Sequence, residues 1–266
     1  MLQGIIDFHA HAFPDQVAAS AIPYLEEEGD VKANHDGRVA SLLDHMDRDG
    51  VEKSVVCSIA TRPVQFEAIL NWSRQIRSER IIPFPSFHPA DPEMLQHIRR
   101  IKAEGFKGIK MHPYYQRFFL DDETLFPAYE KISELGLILV MHTGFDIAFP
   151  RIRRCDPRQV LKVMTRFPDL KMVTTHLGAW QQWGEVEDLL AGRRIYMDIS
   201  YTLDQIDQQT ARRIIINHPK AYILFGTDSP WSGAGDTYRY LLRLELGEEL
   251  ERRILRENGL ALLESV

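Results

Sequence analysis

The chain has 266 residues, of which 44% are hydrophobic and 26% are charged, and its formal net charge at pH 7 is −6. These proportions are those of an ordinary globular protein and exclude an intrinsically disordered chain. Basic residues are scattered among acidic ones and no apolar run is long enough to cross a membrane, so neither a nucleic-acid-binding stripe nor a membrane span is expected.

Short apolar runs alternate with longer amphipathic segments along the chain. In chain order, the predicted strands span residues 4–11, 53–60, 81–88, 106–112, 137–143, 170–177, 195–200 and 221–228. The predicted helices span residues 38–49, 64–79, 91–104, 121–135, 156–167, 182–193, 204–217 and 238–263. Asp91 and Asp156, each followed by proline, mark two helix starts. Gly50, Gly105 and Gly136 mark three helix ends.

Strands that alternate with helices pair in parallel through right-handed crossovers. Eight such units in a chain of this length predict a single-domain α/β fold, the (β/α)8 or TIM barrel, over residues 1–266. An open doubly wound sheet is the alternative, but it usually carries a glycine-rich phosphate loop after the first strand, where this chain has His9 and His11. Residues 12–37 form the longest irregular stretch, which we interpret as a polar insertion after strand one, a lid or surface loop at which the barrel can be distorted.

The first predicted strand closes with His9, Ala10 and His11. Because side chains alternate along a strand, His9 and His11 are expected on one face together with Asp7, and Phe8 on the other. Two imidazoles on one face can bind one divalent cation, and imidazole suits zinc and its neighbours. The pair alone is a weak signal, since histidines at this spacing also occur on surfaces and in cores.

Polar side chains also collect at the other predicted strand ends, where the active site of a (β/α)8 barrel is built. Six of the ten histidines lie at such ends: His9, His11, His88, His112, His142 and His176. Lys110 lies near the end of the fourth strand and Asp228 closes the eighth. This convergence, more than any single motif, predicts a catalytic site.

Five segments resemble the amidohydrolase superfamily. They are residues 6–11 (IDFHAH), 108–113 (GIKMHP), 140–144 (VMHTG), 175–178 (THLG) and 225–230 (FGTDSP), and residues 254–258 (ILREN) resemble it as well. The branch that the sequence most resembles includes aminocarboxymuconate semialdehyde decarboxylase and many metal-dependent hydrolases. The resemblance extends from the first strand to the last helix.

The resemblance implies that His9, His11, His142 and Asp228 bind one divalent metal ion, for which zinc is the expected identity. Such a ligand set leaves an open position at which the ion lowers the pKa of a water molecule from about 16 toward about 7. Asp228 can take a proton from that water, and His176 can polarise a substrate carbonyl or shuttle a proton. Alternatively, His176 is a ligand of a second metal ion.

Three further residues are predicted to bind substrate. Arg62 follows strand two, where this branch often has an anion-binding arginine, and a solvated loop charge is the alternative interpretation. Lys110 can bind a substrate carboxylate, pair with Asp7, or bridge two ions after carboxylation in a two-metal centre. Trp231 follows strand eight and can form a wall of the pocket.

The leading functional hypothesis is a metal-dependent hydrolase of a small amide, ester or lactone, in which metal-activated water attacks the carbonyl and His176 stabilises the oxyanion. The alternative is a metal-dependent, non-oxidative decarboxylase, a lyase, of a small unsaturated or aromatic carboxylic acid. An inactive barrel that serves as a binding protein is disfavoured, because all five site residues are present. An inward-facing Arg62 would favour the decarboxylase, and purely aromatic walls would favour cleavage of a neutral substrate.

Two cysteines without a C-x-x-C arrangement, and a strand-like segment close to Met1, indicate a reduced, cytoplasmic protein without a signal peptide. A small-molecule substrate is the expected partner. A homodimer is the alternative to a monomer, and neither nucleic acid nor membrane is expected to bind.

Overall fold

The computed structural model describes residues 4–266, and residues 1–3 of the predicted domain lie outside the described part. Its strands are β1 (Ile5–Ala10), β2 (Val51–Cys57), β3 (Ile81–Phe84), β4 (Gly108–Met111), β5 (Ile138–Met141), β6 (Lys171–Thr174), β7 (Tyr196–Asp198) and β8 (Ile223–Leu224). Each lies at a predicted position, although β2 begins at Val51 rather than at residue 53.

The helices are α1 (Asp15–Gly29), α2 (Val39–Asp49), α3 (Phe66–Ile76), α4 (Met94–Ala103), α5 (Phe126–Glu134), α6 (Pro157–Arg166), α7 (Trp183–Leu189), α8 (Gln208–Asn217), α9 (Ala234–Leu242), α10 (Glu248–Arg252) and α11 (Asn258–Glu264). Short 3-10 turns at Pro63–Gln65, Glu123–Leu125 and Lys220–Tyr222 precede α3, α5 and β8, and a π turn, Arg253–Glu257, joins α10 to α11. Among residues 4–266, no helix combines the length and the apolar character that a membrane crossing requires.

The strands form two parallel sheets that close on each other. One sheet has the order β1-β2-β3 and the other has the order β4-β5-β6-β7-β8. The backbone N–H of Lys110 donates to the carbonyl of Pro85 at 3.0 Å, which joins the sheets where β3 meets β4. The N–H of Phe8 donates to the carbonyl of Phe225 at 2.9 Å, which joins β8 to β1. The protein is therefore a (β/α)8 barrel, as its sequence predicts.

The barrel interior is filled by a small apolar cluster, separate from the larger apolar layer between strands and helices. Its members from the strands are Ile6, Phe8, Val55, Cys57, Phe84, Ile138, Val140, Val173 and Leu224. Leu262 and Leu263 of α11 join this cluster. The Nζ atom of Lys107, just before β4, donates to the carbonyl of Leu263 at 2.7 Å. Helix α11 therefore closes the end of the barrel at which the strands begin.

Strand β1 departs from the predicted alternation of side chains. Phe8 packs in the interior cluster, yet His9 also faces inward, where its Nε2 atom lies 3.0 Å from Nζ of Lys110. The pairing of β1 with β2 shifts register between Asp7 and Ala10, and the Asp7 carboxylate accepts the backbone N–H of His9 at 3.1 Å. This local bulge turns two consecutive side chains inward, so the prediction that Phe8 and His9 face opposite ways is wrong.

Residues 12–37 are not the irregular loop that their polarity predicts. Helix α1 occupies Asp15–Gly29 and buries Ala18 and Ile22, while most of its other side chains remain accessible. The interior Pro23 is unfavourable in a helix, and it obscures the helical spacing of the two buried residues in the sequence.

The predicted helix 238–263 is three helices. It is interrupted after α9 by a turn in which Glu245 and Gly247 have φ angles of 48° and 89°, values that a helix does not tolerate.

The predicted start of a helix at Asp156 is confirmed. Its carboxylate accepts the N–H of Gln159 at 3.0 Å, and the Gln159 side chain accepts the N–H of Asp156 in return.

Candidate metal centre

The strands end at a cavity of about 1360 Å³. It is lined by every residue that the sequence predicts for the site: His9, His11, Arg62, Lys110, His142, His176, Asp228 and Trp231. This end of a (β/α)8 barrel is the end at which active sites are built. The structure therefore gathers residues that are up to 222 positions apart into one cavity.

Three of the four predicted metal ligands converge on one point. The Nε2 atoms of His9 and His11 lie 3.2 Å apart, and the Oδ1 atom of Asp228 lies 3.3 Å and 3.1 Å from them. The Nδ1 atom of His11 lies 2.8 Å from the carbonyl oxygen of Cys57, which can only accept, so Nδ1 carries the ring proton. The lone pair on Nε2 of His11 then points at Asp228.

Electrostatics keep this cluster in the form that binds a cation. Burial and the neighbouring Lys110 lower the pKa of His9 to about 4, so its imidazole is neutral near pH 7. Burial opposes ionisation of Asp228, but the neighbouring His9 and His11 hold its pKa well below the usual range. The neutral imidazole of His9 beside the ionised carboxylate of Asp228 provides two ligands in the form that divalent metals require. The residues present therefore fit a metal ion.

The fourth predicted ligand, His142, lies in a neighbouring group with His112 and Asp146. The Oδ2 atom of Asp146 is 3.3 Å from Nε2 of His112 and 3.8 Å from Nε2 of His142. The two imidazoles stack with their centroids 4.0 Å apart. Burial lowers the pKa of both histidines well below the usual value, which leaves both rings neutral. That His142 shares an ion with His9, His11 and Asp228 stays a prediction.

His176 lies between these two groups. Its Nε2 atom is 3.2 Å from Nδ1 of His142, and its ring centroid is 5.7 Å from that of His9. Its backbone has a φ angle of 59°, and Asp228 has one of 65°. Residues other than glycine adopt this left-handed conformation at a cost, and such positions cluster at active sites. The backbone at the ends of β6 and β8 is therefore bent where these two side chains enter the cavity.

The predicted substrate-binding residues occupy different depths of the cavity. Lys110 is completely buried at its base, whereas Arg62 is exposed at its rim and Trp231 is partly buried in its wall. Asp7, the alternative partner of Lys110, accepts hydrogen bonds from the Thr227 N–H at 3.0 Å and from the Thr227 hydroxyl at 2.8 Å. Lys110 instead contacts His9.

Three polar residues of the site were missed in the sequence: Asp146, Asp198 and Ser200. Asp198 ends β7 in the same manner as Asp228 follows β8, and its carboxylate lies 3.0 Å from Nδ1 of His9. A search for all polar residues at strand ends, rather than chiefly for histidines, would have found Asp198 and Ser200. Asp146 lies in the loop after β5, where no periodic pattern marks it.

Comparison with known proteins identifies the family. The sequence model of a family described as Amidohydrolase matches residues 6–264, so the chain belongs to the amidohydrolase family. No curated protein is similar to the sequence at a significant level.

Solved structures with the same fold cover almost the whole chain. An uncharacterised TIM-barrel protein from Bordetella bronchiseptica is 19% identical, with a TM-score of 0.76 over 98% of this chain and 99% of that one. A 5-carboxyvanillate decarboxylase from Sphingomonas paucimobilis is 14% identical, with a TM-score of 0.70 over 99% of each chain. A dihydroxybenzoic acid decarboxylase from Polaromonas, solved with bound manganese and the inhibitor 2-nitroresorcinol, is 14% identical, with a TM-score of 0.69 over 99% and 97%. At these identities the likeness establishes the barrel fold.

Proposed function

We propose that this member of the amidohydrolase family is a metal-dependent, non-oxidative decarboxylase of a small aromatic or unsaturated carboxylic acid. The observation that carries the proposal is the buried ammonium group of Lys110. Among residues 4–266, no carboxylate oxygen lies within 4.0 Å of its Nζ atom, whose hydrogen bond goes to the neutral ring of His9. A buried charge without a counter-charge is costly, and a substrate carboxylate would neutralise it.

The walls of the cavity favour a planar acid. Tyr114, Tyr115, Phe149, Trp180 and Trp231 all line it, and aromatic rings pack well against the faces and edges of another ring. Arg62, whose inward orientation would favour a decarboxylase, is exposed, and the cation inside the cavity is Lys110 instead. A cation at the base of aromatic walls still suits an acid better than a neutral substrate. The structurally similar decarboxylases named for carboxyvanillate and dihydroxybenzoic acid support this choice.

His9, His11 and Asp228 would hold the metal ion, with His142 as the proposed fourth ligand. A bound divalent ion supplies positive charge that polarises oxygen atoms of the substrate. Zinc remains the proposed ion because the ligand set is rich in imidazole. Manganese is the alternative, since the Polaromonas decarboxylase contains it.

The side chains of the site supply the remaining chemistry. Decarboxylation breaks the bond between the carboxyl carbon and the rest of the substrate, releases carbon dioxide and leaves an electron pair that must take up one proton. Lys110 would orient the carboxylate, and His176 would take a proton from water at Nε2, the ring atom nearer His142, and pass it to the substrate carbon. The aromatic walls would exclude water while the charge develops.

Turnover assays test the proposal directly. Protein loaded with Zn²⁺ or Mn²⁺ should release one carbon dioxide for each hydroxybenzoic or unsaturated acid consumed, and the Asp228→Asn variant should not. Esters, lactones and amides serve as the comparison panel. Turnover of these neutral compounds without any release of carbon dioxide would contradict the decarboxylase and favour the second candidate, a metal-dependent hydrolase.

A further inference from the structure

Strand β7 ends in a carboxylate that contacts histidines from two other strands. The Oδ2 atom of Asp198 lies 3.0 Å from Nδ1 of His9. Its Oδ1 atom accepts the backbone N–H of His176 at 3.1 Å and the backbone N–H and hydroxyl of Ser200 at 3.0 Å and 2.5 Å. Asp198 and Ser200 are both fully buried. One carboxylate therefore holds the ring of His9 and the backbone of His176 at once.

Ser200 adds a second set of contacts to the same two rings. Its backbone oxygen lies 2.9 Å from Nδ1 of His176, and its hydroxyl oxygen lies 3.0 Å from Nδ1 of His9. The Nδ1 atoms of both rings thus point at the end of β7, and their Nε2 atoms point away from it, toward the cavity. A carbonyl oxygen and an ionised carboxylate only accept hydrogen bonds, so each Nδ1 atom must carry a proton.

We propose that Asp198 is a positioning residue of the metal centre. It holds His9 in the tautomer with the proton on Nδ1, so that the lone pair of Nε2 faces His11 and Asp228. Together with Ser200 it also fixes the orientation of His176. The inference rests on the metal centre of the proposed function but not on the choice of substrate. A partner of this kind typically strengthens metal binding by about 10–100-fold.

The Asp198→Asn variant separates positioning from simple structural support. An asparagine keeps the size and can still accept the backbone N–H groups through its oxygen, but its NH₂ group then faces His9. Because NH₂ donates, we expect the proton of His9 to move from Nδ1 to Nε2. Nitrogen-15 NMR of the metal-free protein reads this tautomer directly, with the His9→Gln variant used to assign the signal.

Zn²⁺ affinity, measured by calorimetry with a competing chelator, is the second readout. We expect Asp198→Asn to raise the dissociation constant about 10–100-fold and Ser200→Ala to raise it less than about 10-fold. Asp156→Asn is the matched control. It alters another largely buried carboxylate, the cap of α6, and should leave Zn²⁺ affinity unchanged.

Three results would overturn the inference. They are a wild-type His9 protonated on Nε2, an Asp198→Asn variant with wild-type tautomer and affinity, and an equal loss of affinity in Asp156→Asn. Even if Asp198→Asn does not fold, the inference is tested by which ring nitrogen of His9 carries the proton in the wild-type protein. A protein that binds Zn²⁺ as expected but consumes no carboxylic acid would instead contradict the proposed function and leave this inference standing.

Discussion

Replacing Lys110 with methionine removes a buried ammonium group and keeps a side chain of similar length. If this group binds the substrate carboxylate, the variant loses a charge-assisted hydrogen bond of about 1.5–3 kcal/mol. That loss corresponds to an increase of about 10–150-fold in KM for the acid, or in Kd for an unreactive carboxylate analogue. The charge of Lys110 acts in a largely desolvated part of the site, where charge-assisted hydrogen bonds are strong, so we expect the upper part of this range.

The assay is steady-state decarboxylation together with analogue binding at a verified metal content, because Lys110 also contacts His9. Lys107→Met is the matched control. Its Nζ atom donates to the carbonyls of Leu263 and Val266 at the opposite end of the barrel, so its loss should affect stability and leave KM unchanged. An unchanged KM and analogue affinity in Lys110→Met, at full metal content, would refute the reasoning.

Three further predictions concern catalysis, backbone geometry and acid stability. His176→Ala should lower kcat by about 10²–10⁴-fold and keep its metal, and a fall from two metal equivalents to one would show that it is a ligand instead. Gly144→Ala should lower the free energy of unfolding by about 2–4 kcal/mol in denaturant titrations, because φ is 92° and the new Cβ would lie 2.0 Å from the backbone nitrogen of Trp180. Gly136→Ala, with φ of 64° and an open surrounding, should lose only about 1 kcal/mol, and equal losses would contradict the steric argument. Burial lowers the pKa of His218 from 6.5 to about 4, so the unfolded chain binds a proton that the folded one does not between these values. Stability should therefore fall by about 3 kcal/mol as pH falls from 6.5 to 4, and His218→Gln should remove that part of the loss in urea titrations at matched pH.

The barrel could be predicted from the sequence because its strands are short, apolar and regularly spaced. The convergence of His9 with Asp228 follows from that prediction, since β1 and β8 are neighbours in a closed barrel. The inward turn of both Phe8 and His9 could not be predicted, because it depends on hydrogen bonds between Asp7 and groups that include Thr227, 220 positions away. The alternation of side chains follows from the geometry of a single strand, whereas this bulge forms only when β1 meets its neighbours in the closed barrel.

Details within the site were less predictable for a related reason. Ligand-type residues at strand ends can be counted, but which nitrogen of His142 faces which neighbour depends on side-chain torsions that the sequence does not encode locally. Helix α1 shows the same limit on a larger scale, since only the burial of Ala18 and Ile22 in the folded protein distinguishes it from a polar loop.

The closure of the barrel by α11 has a consequence for how the protein is made in the cell. A ribosome adds Leu262 and Leu263 after all eight strands, so a nascent chain that stops short of them leaves Ile6 and Phe8 without their last interior neighbours. The exit tunnel of the ribosome further delays the packing of Leu262 and Leu263 into the barrel interior. Sealing of the interior therefore comes after synthesis of all eight strands, and the unsealed barrel exposes apolar surface of the kind that chaperones bind.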